Sequence, residues 1–148
     1  MQEAEFREVR DILQLQAVKA LYCQTIDSIT RDAAGASVRL RQLFVPEAKA
    51  DYGMGMSVLE GRDAVADFLL KAIAAGNEAL WHSIHTPHIE IQGDHAVGRW
   101  TVLVRMKAKG AAQAAMLFGR YVDEFQRTAA GWKVSFVHFF PEGEVSSL

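Results

Sequence analysis

The stretch HSIHTPHIEIQGDHAVGRWTVLVRMKA, residues 82–108, contains two strand-like segments joined by a short turn. In its second segment, residues 96–108, apolar side chains alternate with charged or polar ones, which is the period of a strand with one buried face and one wet face. The glycine and aspartate between the segments are typical of a tight hairpin turn. The stretch therefore predicts two antiparallel strands and not a helix.

The residues on either side extend this hairpin into a larger fold. Two further strand-like segments follow, at residues 114–127 and 131–140, again separated by turn-forming residues. The first half of the chain instead has helical periodicity, over residues 6–26, 38–44 and 60–76, with one short strand at 48–52. Helices followed by consecutive hairpins predict an α+β fold, in which three N-terminal helices pack on a curved antiparallel sheet.

Length and composition indicate one domain spanning residues 1–148, since half of the 148 residues are apolar. The formal charge of −2 comes from interspersed acidic and basic residues, so we expect no nucleic-acid partner. No apolar run approaches the roughly 20 residues that span a bilayer, so we expect no membrane partner. Cys23 is the single cysteine and cannot form an internal disulfide, which favours a reducing, cytoplasmic location and a core role for this residue.

His82, His85 and His88 are spaced by three residues. On a helix they would share one face and could bind a metal, but on a strand they alternate between faces. Counted back from the apolar Ile89, His85 points to the buried side, and His82 and His88 point to the other. Pro87 allows a bulge that would disturb this count locally. The pattern predicts no metal site, because tetrahedral zinc needs three or four converging ligands.

A histidine on the apolar side of a sheet needs a polar partner, and Asp27 is the candidate. It lies at the C-terminal end of the first predicted helix, where a carboxylate is a poor match to the helix dipole. This position suggests a use for the side chain, although an ordinary solvated aspartate at a helix end explains it as well.

The motifs LYCQTID, ADYG, EGRDAVADF and GRYVDEF, in this order, resemble the nuclear transport factor 2-like superfamily. Within it the chain resembles the SnoaL-like group that contains scytalone dehydratase and hexachlorocyclohexane dehydrochlorinase. The resemblance covers nearly the whole chain. It implies a cone-shaped, cystatin-like α+β barrel around an apolar pocket for a small hydrophobic molecule, no cofactor, and a homodimer or homotrimer.

The resemblance also implies roles for individual residues. Asp27 and His85 match a catalytic dyad of these relatives, and Tyr52 matches an active-site tyrosine of scytalone dehydratase. Tyr121 matches a position that lines the pocket. A second histidine of scytalone dehydratase is replaced here by Trp100, and the polar tail after Phe140 is short for a lid over the pocket.

The predicted catalytic residues are therefore His85, Asp27 and Tyr52, and the predicted substrate-binding residues are Tyr121, Trp100, Tyr22, Val102 and His138. Trp100 and Val102 share the apolar face of one strand, which ordinary core packing explains equally well. His138 shares a face with Val134, Phe136 and Phe140, and is otherwise a core or interface histidine.

The dyad predicts acid/base chemistry. Asp27 would fix the tautomer of His85 and stabilise its imidazolium, which leaves the other ring nitrogen as a general base. Tyr52 or Tyr121 would donate a hydrogen bond to a developing oxyanion. We expect a lyase or isomerase without cofactor or metal, a dehydratase, dehydrohalogenase or ketosteroid-isomerase-like enzyme, that acts on a small hydrophobic cyclic molecule. The alternative is a non-catalytic ligand-binding or assembly module of the same fold.

Overall fold

The computed structural model describes residues 2–146 and contains three helices and six strands. The helices are α1 (Glu3–Ser28), α2 (Ala33–Leu43) and α3 (Arg62–Gly76), and the strands are β1 (Phe44–Asp51), β2 (Leu59–Glu60), β3 (Asn77–Gln92), β4 (His95–Ala108), β5 (Ala115–Thr128) and β6 (Gly131–Val145). One curved, unclosed sheet has the strand order β2-β1-β6-β5-β4-β3. The α+β prediction is confirmed.

The sheet is mixed, whereas the sequence pattern predicted an antiparallel one. Strands β3 to β6 form antiparallel pairs, but β1 runs parallel to β6 and antiparallel to the short β2. Strand β1 follows α2 directly and pairs with the edge of β6 that β5 leaves free. Alternation of apolar residues reports a strand but not its direction, which is why this pairing was missed.

Three boundaries differ from the predicted ones by five residues each. Helix α2 begins at Ala33 because the side chain of Asp32 accepts a hydrogen bond from the backbone N–H of Gly35 and caps the helix. Strand β3 begins at Asn77, directly after α3. The polar tail continues β6 to Val145 as paired strand, and residues 147–148 lie outside the described residues.

The helices cover the inner face of the sheet. Leu15, Tyr22 and Ile26 of α1 are buried against it, together with Cys23, whose thiol pKa burial raises to about 12. The prediction that Cys23 is a core residue is confirmed. None of the three helices within residues 2–146 combines the length and apolarity needed to cross a bilayer.

Asp11 joins α1 to the sheet through a buried polar cluster. Its two carboxylate oxygens accept hydrogen bonds of 2.8 Å each from the guanidinium of Arg127, and one also accepts from the indole N–H of Trp132 at 3.1 Å. The hydrogen bonds from Arg127 are the largest cause of a lowered pKa for Asp11, which falls from 3.8 to about 2. The charged form of Asp11 is therefore stabilised in the folded protein.

We expect this cluster to set the acid limit of stability. Because the folded pKa of Asp11 is depressed, its contribution is complete above about pH 4 and is lost as the pH falls toward 2. Asp11→Asn should lower the free energy of unfolding by roughly 1–3 kcal/mol at neutral pH and flatten its decline in acid, as measured by urea denaturation. Asp94→Asn is the control, because the exposed Asp94 contacts the same Arg127 and should cost under about 1 kcal/mol. Parallel acid profiles for wild type and Asp11→Asn would contradict this role.

Candidate active site

An apolar cavity of about 200 Å³ lies between α1, α3 and the inner face of the sheet. Much of its wall comes from large apolar side chains on α3, β3, β4 and β5, among them Phe68, Ile73, Leu80, Val104, Met106 and Leu117. Met54 and Met56, from the loop after β1, lie at the same wall and are exposed to solvent. The described polar side chains of the lining are Tyr22, Tyr52, Asn77, His82 and Tyr121.

A histidine and an aspartate meet at this wall. The Nδ1 atom of His82 lies 2.6 Å from Asp27 Oδ1, and the backbone N–H of His82 donates to Asp27 Oδ2 at 3.0 Å. The side chain of His82 is 5% exposed and that of Asp27 is 16% exposed. A carboxylate against Nδ1 keeps the ring proton on that nitrogen, so Nε2 is left as the hydrogen-bond acceptor. The Asp27–His82 dyad therefore has the geometry of an oriented general base.

The predicted contact between His85 and Asp27 is wrong. His85 is exposed on the outer face of the sheet, where its Nδ1 forms a hydrogen bond with Thr101 Oγ1. The partner aspartate was identified at the correct position, but the histidine that contacts it lies three residues earlier on the same strand.

A β-bulge explains the error. His85 pairs with Thr101 and His88 pairs with Arg99, so one extra residue lies on β3 between these two pairs. Thr86, inside the bulge, has a φ of +52°. Each extra residue exchanges the two faces of a strand, so a count that starts beyond the bulge gives the opposite face before it.

Three tyrosines complete the polar part of the site. The hydroxyls of Tyr22 and Tyr52 lie 2.9 Å apart, and the hydroxyl of Tyr121 lies 3.5 Å from Nε2 of His82. Burial raises the pKa of all three phenols, so they are protonated donors at neutral pH. The hydrogen bond between Tyr22 and Tyr52 uses the proton of one hydroxyl, so the proton of the other hydroxyl is available to a ligand oxygen.

Two predicted pocket residues lie deeper in the core. Trp100 and Val102 do point inward from β4, but Trp100 packs against Phe125 with ring centroids 6.0 Å apart, and both residues lie outside the cavity lining. Farther along the same face, Val104 and Met106 line the cavity instead. The sequence identified the apolar face of β4. Which residues of that face line the cavity depends on where α3 packs.

The prediction that His138 lines the pocket is wrong. Its ring lies on the outer face between Phe136 and Phe140, and its Nε2 is 3.3 Å from Asp51 Oδ2. A second bulge is the cause, because β6 has an extra residue between Val134 and Phe136 where β5 has none. The count from Val134 therefore assigned His138 to the wrong face.

Within residues 2–146, no three histidine, cysteine, aspartate or glutamate side chains are placed to hold a metal ion together. His82 and His85 point to opposite faces of β3. The reactive geometry of the pocket thus consists of one oriented imidazole, its carboxylate and three phenols.

Comparison with known proteins places the chain in a family. The sequence profile of the SnoaL-like domain matches residues 7–138. No curated protein sequence matches significantly.

Several solved structures share the fold. A candidate scytalone dehydratase from Novosphingobium aromaticivorans has 19% identity and a TM-score of 0.81, with 100% of this chain and 93% of that chain covered. A type 2 hexachlorocyclohexane dehydrochlorinase has 17% identity and a TM-score of 0.76, with 93% and 92% covered. A nuclear transport factor 2-like protein from Salmonella enterica has 18% identity and a TM-score of 0.76, with 88% and 90% covered. At such identities these structures confirm the fold alone.

Proposed function

Because this chain belongs to the SnoaL-like domain family, we propose that its pocket catalyses proton abstraction from a small hydrophobic cyclic molecule, as a lyase or isomerase without a cofactor. The observation that carries the proposal is the Asp27–His82 dyad, in which His82 lies at the wall of an apolar cavity and its Nε2 is the ring nitrogen that Asp27 does not contact. The candidate dehydratase and the dehydrochlorinase of the same fold support this class of reaction.

The chemistry follows from the dyad. Nε2 of His82 takes a proton from a carbon next to an activating group, and Asp27 stabilises the imidazolium that results. Tyr121, beside Nε2, donates a hydrogen bond to the oxygen on which negative charge develops. In an elimination the electron pair of the broken C–H bond forms a double bond and the leaving group departs. A leaving hydroxide takes the proton from His82 and departs as water. In an isomerisation His82 returns the proton to another carbon.

The cavity favours a neutral substrate with one polar edge. Its lining is mostly apolar, and the polar groups are on Tyr22, Tyr52, Tyr121, Asn77 and His82, so a substrate carboxylate or phosphate would lose its hydration without gaining a cation. A single or fused ring system suits the volume, with its oxygen directed at the phenols.

The non-catalytic alternative uses the same pocket. A binding module would retain a small apolar ligand but never exchange its protons. The open cavity supports a ligand-dependent function over a purely structural module, because large side chains would otherwise fill the space.

The test is proton exchange. Small cyclic ketones, phenols and halides are incubated with the protein in D₂O, and deuterium uptake and loss of water or halide are followed by mass spectrometry. We expect enzyme-dependent exchange or elimination for at least one ring compound that binds. Ligands that bind with no exchange and no elimination would instead establish the binding module.

We predict that the activity needs no metal. The proposed steps use side chains alone, so prolonged treatment with EDTA should leave turnover and melting temperature unchanged. A matched sample treated with zinc-saturated EDTA controls for effects of the chelator itself. Loss of activity that zinc restores would contradict this prediction.

We also propose that copies of this chain assemble as a homodimer or homotrimer. Trp81 and Phe118 are large apolar side chains exposed on the outer face of the sheet, where a second copy could cover them. Size-exclusion chromatography with light scattering should give two or three times the monomer mass. A monomer at micromolar concentration would contradict the assembly.

A further inference from the structure

A lysine and an aspartate form an ion pair in the core beside the active site. Nζ of Lys19, on α1, lies 2.7 Å from Asp123 Oδ2 on β5, and each side chain is only 1% exposed. Burial of this pair is costly, and apolar side chains of similar volume would often give an equally stable core. Its presence beneath a reactive pocket therefore calls for a role other than stability.

The surroundings of Lys19 indicate that role. Its ammonium lies 3.2 Å from the ring centroid of Tyr121 and 4.4 Å from that of Tyr22. The cation thus contacts the face of the phenol whose hydroxyl lies 3.5 Å from Nε2 of His82. Lys19 itself is outside the cavity lining, so a ligand would experience it chiefly through the ring of Tyr121.

We propose that the Lys19–Asp123 pair positions and polarises Tyr121, so that its hydroxyl stabilises an oxyanion on a ligand in the pocket. This inference rests on the proposed function, because it concerns the same site. The cation against one ring face, with Phe139 at 5.1 Å and Tyr22 at 6.1 Å between centroids, fixes the plane of the ring. A cation at that face also draws electron density from the ring and its oxygen, which makes the hydroxyl of Tyr121 a stronger hydrogen-bond donor.

Asp123 is the counter-charge of Lys19. It balances the lysine charge, so the pair adds no net charge that would attract an anionic ligand from solution. The positive end of the pair contacts the ring of Tyr121 directly, with Nζ of Lys19 3.2 Å from the ring centroid. Lys19 is accordingly a positioning residue that acts through Tyr121.

The test uses 4-nitrophenol as a ring ligand whose ionisation is visible by absorbance. The pKa of the bound phenol is compared between the wild-type protein and the variant Lys19→Met/Asp123→Asn, which removes both charges and keeps similar volumes. We expect this pKa to be higher by about one unit in the variant, a roughly tenfold loss of preference for the phenolate. Affinity for the neutral phenol should change little.

A second background separates positioning from a general effect on the core. In Tyr121→Phe the ring remains but the hydroxyl is gone, so the same double substitution should then shift the pKa of bound 4-nitrophenol by much less. Equal shifts in both backgrounds, no shift in either, or no binding of the probe would overturn the inference. Near-ultraviolet circular dichroism verifies that each variant is folded.

This measurement requires no turnover. If His82 proves not to be a base but the probe shift depends on Tyr121 as expected, the proposed function fails and the role of Lys19 stands. If proton exchange occurs but the shift is absent, the proposed function stands and the role of Lys19 fails.

Discussion

His82→Ala should lower turnover by about 10² to 10⁴, whereas His85→Ala should leave it nearly unchanged. The two histidines lie three residues apart on β3, but His82 faces the cavity beside Asp27 and His85 faces solvent beside Thr101. His85→Ala is therefore a matched control for loss of an imidazole from this strand. The measurement is kcat and kcat/KM for a substrate found by proton exchange, together with ligand affinity, which should change little because the pocket walls remain.

Asp27→Asn should be nearly as severe, for a reason visible in the two contacts of the carboxylate. Its Oδ2 accepts from the backbone N–H of His82, and the amide oxygen of an asparagine would take that place. The amide nitrogen would then face Nδ1, donate to it, and move the ring proton to Nε2, where the base is needed. The double variant should be little worse than either single one, since both disable one unit. Small losses that add in the double variant would reject the dyad.

The sequence predicted the elements of the fold more reliably than the faces of its strands. Period-two alternation identified all four long strands, and the helical spacing identified α1 and α3. Each of the bulges at Pro87 and Ser135 exchanged the assigned faces of the residues on one side of it, which misplaced His85 and His138. A bulge changes one backbone position, so its signal in the sequence is as small as a single proline, or absent.

The sequence located the aspartate at the end of a helix better than it located the residues that line the cavity, and the catalytic roles of all these residues stay predictions. Asp27 was singled out by the family resemblance together with the poor match of a carboxylate to a helix C-terminus, and the structure puts it against a histidine. The cavity itself is left between α3 and the sheet, and its position decides that Val104 lines it and Val102 does not. The limit of the cavity along β4 is set by tertiary contacts between segments that are distant in sequence. The periodicity of apolar residues within one segment does not encode such contacts. Lys19 was missed because a single lysine on an amphipathic helix usually lies in solvent.

The buried position of Lys19 leads to the second large effect, on stability. Lys19→Met should lower the free energy of unfolding by about 3–5 kcal/mol at neutral pH, because it leaves the Asp123 carboxylate buried without a counter-charge. The added substitution Asp123→Asn should restore most of that loss, although it removes another polar contact. Urea denaturation of the wild type and of the single and double variants measures both changes. A double variant as unstable as Lys19→Met would mean that lost packing of the lysine stem, and not an unpaired charge, is the cause.

The pH dependence of the Lys19→Met defect has a definite sign. Burial raises the pKa of Asp123 in the folded protein above its usual value of 3.8, so protonation of this group favours the folded state. The stabilisation that Asp123 contributes is complete below its usual pKa of 3.8 and is lost as the pH rises through its folded pKa. Asp11 behaves in the opposite way. Without the lysine cation, which favours the carboxylate, the pKa of Asp123 should rise further. The deficit of Lys19→Met should therefore shrink as the pH is lowered from about 7 toward 5, a range in which Asp11 remains charged in the folded protein. A deficit that stays constant over this range would show that Asp123 does not carry the buried charge.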